Sequence, residues 1–208
     1  MVDADCCFKY IDVGGNGRAS GSAVLRDYTL NIAMENNTLG MSENSVIIGD
    51  DEFPLRTNFM KPYNKTGLSN SERIFNYRLS CARRVVENAF GILVWRFSVF
   101  SRPIELKPNT ADKVIWASCS LHNWLRKTSP NTYVLPPQAV DREDFNTGNV
   151  TPGEWRENMN NLQSVHNLGI NNYKRIAEEV RRSYAMYFTE ENPLPWQWKK
   201  VGITETDI

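Results

Sequence analysis

Asp50 and Glu87 are the two side chains best placed by type and spacing to do chemistry. Asp50 follows the apolar run Val46 to Ile48 and Gly49, in the stretch VIIGDDEFPL, and a carboxylate at the C-terminal end of a buried strand is a frequent position for catalytic groups. Glu87 lies on the polar flank of a long amphipathic segment, with Arg83 and Arg84 about one turn before it. Acids on rigid elements with cations between them suit a divalent metal acting on a phosphate, because carboxylates hold hard cations through oxygen while guanidiniums meet phosphate oxygens. For Glu87 a plainer reading stands alongside: an i, i−4 ion pair with Arg83, worth roughly a few tenths of a kcal/mol when exposed.

The elements that must position these acids are legible in outline. Phe8 to Val13 reads as a strand ending at Gly14 and Gly15, with Val2 closing an earlier one, and Ser22 to Met34 has the apolar spacing of a short helix. Val46 to Ile48 is a brief buried strand. Pro54 to Leu68 is a loop in which Arg56, Lys61 and Lys65 alternate with Phe59 and Tyr63, a mixture that could contact nucleic acid and equally suits an ordinary surface loop. Ser69 and Glu72 form an S-x-x-E capping box, which predicts a helix start. At about 100° per residue, Phe75, Leu79, Ala82, Val86, Phe90, Leu93 and Phe97 share the core face of that helix, and Asn76, Ser80, Arg83, Arg84, Glu87 and Gly91 share a flank. Gly91 is a poor helix former one turn after Glu87, and predicts clearance for a metal, a substrate or a neighbouring strand.

Asp112 suits the start of the next helix better than a metal site. That helix runs to about Lys127 with Val114, Ala117, Leu121, Trp124 and Leu125 as its core face, and His122 reads as a packed, hydrogen-bonded residue. Residues 129 to 170, rich in Pro, Asn, Gly and acids, read as a linker. A last amphipathic helix uses Tyr173, Ile176, Val180, Tyr184, Tyr187 and Phe188, and the PLPWQW element follows, so 171 to 208 form a tail that docks on the core or a partner.

Composition bounds the possibilities. A chain of 208 residues with 41% hydrophobic content can bury one substantial core, and it lacks the composition of a disordered chain. Four cysteines at positions 6, 7, 81 and 119 match neither a disulfide ladder nor zinc spacing, so they are expected reduced, in an intracellular protein. No signal peptide and no run of about 20 apolar residues is present, which predicts a soluble protein without a membrane role. The zero net charge conceals an asymmetry: residues 1 to 55 carry three Lys/Arg against nine Asp/Glu, and residues 56 to 107 carry ten against three. An acidic segment beside a basic one suits a metal-dependent enzyme of nucleic acid, or simply a solvated helix face and polar loop.

Over residues 2 to 127 the blocks GDDEFPL, MKPY, FNYRLSCARRVVENAFGILVWRF and LHNWLR resemble, in order, the DDE superfamily endonuclease domain of Harbinger-type transposases and their domesticated relatives. The resemblance implies an α/β, RNase H-like mixed sheet flanked by helices over 1 to 128, with three acids binding two Mg²⁺ or Mn²⁺ ions. It maps the second acid to Asp50 and the third to Glu87, as catalytic and metal-binding residues, with Arg56, Lys61, Lys65, Arg83 and Arg84 as nucleic-acid contacts. It implies DNA as substrate, a nuclear location, and a separate DNA-binding protein as a further partner. In the family the first acid lies on the opening strand, upstream of the part that resembles Val2 to Val13. The chain is thus expected to be N-terminally truncated, lacking that strand, and to be incomplete or inactive as a nuclease; a domesticated DNA- or protein-binding module is the alternative. Gly21 stands where the family commonly has Asp.

Overall fold

The computed structural model describes residues 1–14, 29–36, 38–42, 45–133, 137–158 and 175–203. The expectations for residues 22–28, Gly21, residues 159–170 and Tyr173 lie outside them. In chain order come helix α1 (Thr29–Glu35), strands β1 (Ile47–Ile48) and β2 (Phe59–Met60), and the long helix α2 (Asn70–Arg96). Helices α3 (Pro108–Thr128) and α4 (Pro130–Tyr133) follow, then strands β3 (Arg142–Glu143) and β4 (Val150–Thr151), a 3₁₀ turn at Glu154–Asn158, and helices α5 (Arg175–Met186) and α6 (Gln197–Lys200). Strands β1 and β2 pair in parallel, Ile47 with Phe59 and Ile48 with Met60; β3 and β4 pair antiparallel. This is a helix-rich α/β arrangement. None of its described helices is long and apolar enough to cross a membrane, and all four cysteines are free thiols.

The capping box forms as its residue types predict. Ser69 Oγ accepts the Glu72 N–H at 3.3 Å, and Glu72 Oε2 accepts the Ser69 N–H at 2.9 Å, so two donors at the start of α2 are satisfied reciprocally. The chain divides into two compact units, and α2 contributes residues to both.

One unit holds the described residues of Arg18–Arg83, Asp144–Gly148 and Val165–Ile208. Its core gathers Leu55, Met60, Tyr63, Phe75 and Leu79 with Ala177 and Ala185 of α5, and Val180, Tyr184 and Phe188 pack against it. The docked tail is thus seated by the apolar face read from its sequence, although Ile176 and Tyr187 on that face stand 62% and 40% exposed.

The other unit holds the described residues of Met1–Gly17, Arg84–Glu143 and Asn149–Ser164, around Phe8, Ala89, Leu93 and Cys119. Here the expected elements need correction. Phe8 to Val13 is no strand; Phe8 makes one isolated bridge to Val2. Helix α3 begins at Pro108, before Asp112, and it is turned over relative to its apolar pattern. Its buried residues are Ser118, Cys119 and His122, whereas Leu121 and Trp124, expected in the core, are 48% and 59% exposed, as is half of Trp116.

The cause is the hydrogen-bonding need of the N-terminal segment. Beyond its turn bonds and the one bridge, its remaining backbone groups are satisfied by side chains. Asn123 Oδ1 accepts the Phe8 N–H at 2.8 Å and its Nδ2 donates to the Phe8 carbonyl at 2.7 Å. Arg126 donates twice to the Asp5 carbonyl, and His122 Nε2 lies 2.7 Å from the Cys6 carbonyl. Each unsatisfied buried group would cost about 1–3 kcal/mol, so the three part-buried groups of Phe8 and Cys6 together offset the burial of one or two more apolar side chains at about 1.5–3 kcal/mol each. His122 has no exposed surface. Asp3 is structural as well, accepting the Cys7 N–H at 2.9 Å and pairing with Lys9 at 3.1 Å.

The core stripe of α2 also departs from its pattern. Phe75, Leu79 and Leu93 are buried, but Ala82 is exposed, as are Val86 (38%) and Phe90 (47%). Residues 137–158, read as part of a linker, contain β3, β4 and the 3₁₀ turn, and they pack on α2 as follows.

Candidate functional site

In the first unit, β1 brings Asp50 to its C-terminal edge. Gly49 is required by the packing there, since a Cβ would lie 2.6 Å from the Phe59 ring. Asp50 Oδ1 accepts the Glu52 N–H at 3.2 Å, and Oδ2 lies 3.6 Å from Arg83 Nη2, with both side chains about 40% exposed. Arg83 is therefore the counter-ion of Asp50, and the i, i−4 pair with Glu87 is not the arrangement adopted.

The basic loop residues take three different roles. Lys65 is exposed and pairs with Glu72 at 2.8 Å. Arg56 donates to Asn31 Oδ1. Lys61 corrects the expectation of a phosphate contact: it is 2% exposed, and its ammonium donates to the Asp51 carbonyl at 2.9 Å. Burial, with Arg181 nearby, lowers its pKa against the opposing pull of Asp51 and Asp50. Such a lysine holds the acidic turn after β1 in place from beneath.

In the second unit, Glu87 is half-exposed and pairs with Arg156 Nη2 at 2.8 Å. Arg156 belongs to the 3₁₀ turn and was not visible as a site residue in the sequence. Its Nε lies 2.9 and 3.1 Å from the two oxygens of Asp141, and its Nη2 also meets Asp141 Oδ2. The Asp141 side chain is fully buried. Burial alone would raise its carboxyl, but the Arg156 guanidinium, the Gly153 N–H at 2.8 Å and the charge of Arg84 together outweigh that and hold it below the usual range. In return Asp141, and then Glu87, raise the Arg156 guanidinium.

The neighbours of Glu87 on α2 seat this segment. Asn88 Oδ1 accepts the Asp141 N–H at 2.9 Å and its Nδ2 donates to the Asp141 carbonyl at 3.2 Å. Arg84 pairs with Glu143 at 2.8 Å, both about four-fifths buried. Gly91 lies under the Trp155 indole, where a Cβ would stand 2.5 Å from Cγ. The clearance expected at Gly91 is thus filled by an aromatic ring of the same chain. Gly91→Ala is expected to destabilise by about 1–3 kcal/mol through overpacking, although in an unpacked helix the same change would stabilise by about 1 kcal/mol. Urea unfolding reads the sign, and a gain in stability would mean that the indole is not seated there.

Both acids offer the hard oxygen donors that Mg²⁺ or Mn²⁺ prefers, and both are accessible, so the donor chemistry fits such an ion. Each already has a guanidinium partner. Among the described residues no group of three or more His, Cys, Asp and Glu is placed to hold a metal.

A family model described as DDE superfamily endonuclease matches residues 1–123. No curated protein and no solved structure gives a match.

Proposed function

We propose, since this chain belongs to the DDE superfamily endonucleases, that it is the Harbinger-type, transposase-derived form of that nuclease domain, with an RNase H-like fold. Asp50 and Glu87 are its second and third metal-binding acids, and DNA is its substrate, met in the nucleus. The catalytic domain covers 1 to 128 together with the residues of 137–158 that pack on α2, and 171 to 208 form the tail. A pair of Mg²⁺ or Mn²⁺ ions, when bound, would supply water activation and leaving-group stabilisation. The chain's own residues hold and orient: Arg83 faces the Asp50 carboxylate, Lys61 fixes the turn that carries it, and Arg56 and Lys65 add positive charge for the phosphate backbone.

The observation that supports this reading best is the matched environment of the two acids. Both carboxylates are half-exposed and each faces one arginine, at 3.6 Å for Asp50 and 2.8 Å for Glu87, as expected of accessible acids held in position by a cation. Mn²⁺ binding, followed by the paramagnetic resonance of the free ion, is expected to be weak in this chain and weaker by about tenfold in Asp50→Asn and in Glu87→Gln. Unchanged binding in Glu87→Gln would sink the assignment.

A second reading is favoured by the same ion pairs. With both acids neutralised by arginines and no three-ligand group among the described residues, the chain suits a domesticated module that binds DNA or a protein without cutting. Nicking of supercoiled plasmid in Mn²⁺ separates the two: nicking lost in Glu87→Gln supports the nuclease, and salt-sensitive binding without nicking supports the module.

A further inference from the structure

We propose that Arg156, held on the buried Asp141, is the built-in counter-ion of Glu87 and must give up that carboxylate before it can take a divalent cation. The inference rests on the reading of Glu87 as a metal ligand.

The guanidinium does not depend on Glu87 for its position. Its Nε is bound to both Asp141 oxygens at 2.9 and 3.1 Å, and its Cζ sits 4.5 Å from the Trp155 ring centre. Asp141 is fixed in turn by the Gly153 N–H and by both side-chain groups of Asn88. A cation so anchored meets Glu87 at 2.8 Å without the entropy loss of ordering a free arginine, which makes the pair stronger than an ordinary surface one. The helix position after Glu87 thus holds, through Asn88, the segment that carries the competitor of the metal. Acid and competitor are built into one packed unit.

The test is Mn²⁺ affinity, read by the paramagnetic resonance of the free ion in the full chain. Arg156→Gln alone strands the buried Asp141 charge and can unfold the protein, so the double variant Asp141→Asn/Arg156→Gln is measured with it. The double change removes one charge of each sign and leaves the local net charge as it was. Its Mn²⁺ affinity is expected to rise about two- to fivefold, the range that an exposed ion pair at the upper end of its strength represents. The gain should shrink at high ionic strength and vanish when Glu87→Gln is added. If Glu87→Gln weakens Mn²⁺ binding but the double variant binds as the wild type does, the counter-ion role is overturned while Glu87 remains a ligand. If Glu87→Gln has no effect, the ligand assignment fails and the counter-ion role with it.

Discussion

His122→Ala is expected to lower the unfolding free energy by about 3 kcal/mol, the largest loss we anticipate from a single side chain. The imidazole is fully buried, sits edge-on to Phe8 with ring centres 5.1 Å apart, and lies 2.9 Å from the Tyr133 hydroxyl and 2.7 Å from the Cys6 carbonyl. A carbonyl can only accept, so Nε2 carries the proton and Nδ1 accepts from Tyr133. Alanine would leave a cavity and two stranded polar groups, each mechanism worth about 1–3 kcal/mol. Burial, with a smaller push from Arg126, lowers the His122 pKa against the pull of the Cys6 carbonyl. The folded protein therefore binds fewer protons than the unfolded chain below about pH 6.5, and stability falls as pH drops from there toward the folded value, by up to about 1.4 kcal/mol per unit. Urea unfolding of the wild type and His122→Ala at pH 7.5 checks the loss, and the wild type beside His122→Gln between pH 5 and 8 checks the pH dependence. A wild-type curve that is flat over this range would contradict the buried neutral imidazole.

Arg156→Ala is expected to cost about 2–3 kcal/mol at pH 7. Breaking a buried pair commonly costs about 3–5 kcal/mol, and the figure is reduced here because Arg156 is 41% exposed. In the wild type the Asp141 carboxyl is held below its usual range, so its contribution is present above about pH 4 and lost as pH falls through the folded value. Without the guanidinium, burial dominates and raises that carboxyl. The sign then reverses: the variant binds a proton more readily when folded, and it regains stability relative to the wild type as pH falls from 7 toward 4. Denaturation at pH 7 and 4.5 measures this, and a deficit independent of pH would exclude an uncompensated Asp141 charge as its cause.

Much of the frame was legible because its signals are local. The capping box at Ser69 and Glu72, the short strand before Asp50 and the apolar face of α5 each depend on neighbours within a turn or two, and each forms. The buried His122 was also legible. The orientation of α3 was not, because its sequence offers Leu121 and Trp124 to a core while the decision belongs to backbone groups of Asp5, Cys6 and Phe8, more than a hundred residues away. Lys61 misled for a similar reason: a lysine in a basic loop reads as exposed, and only Asp51 and the packing around it show otherwise. At the site, Gly91 announced a close neighbour without naming it. Nothing in the spacing of Asp141 and Arg156 ties them to Glu87.

The sequence separation of 69 from Glu87 to Arg156 has a consequence for synthesis. The ribosome makes the whole of α2, with its acid, well before the arginine that meets it. Until translation has passed Arg156, the nascent chain carries Glu87 without this counter-ion, and Asn88 and Gly91 have no Asp141 or Trp155 to receive. Closure of this unit is therefore a late event in the life of the growing polypeptide, and contacts of such sequence separation favour slow completion.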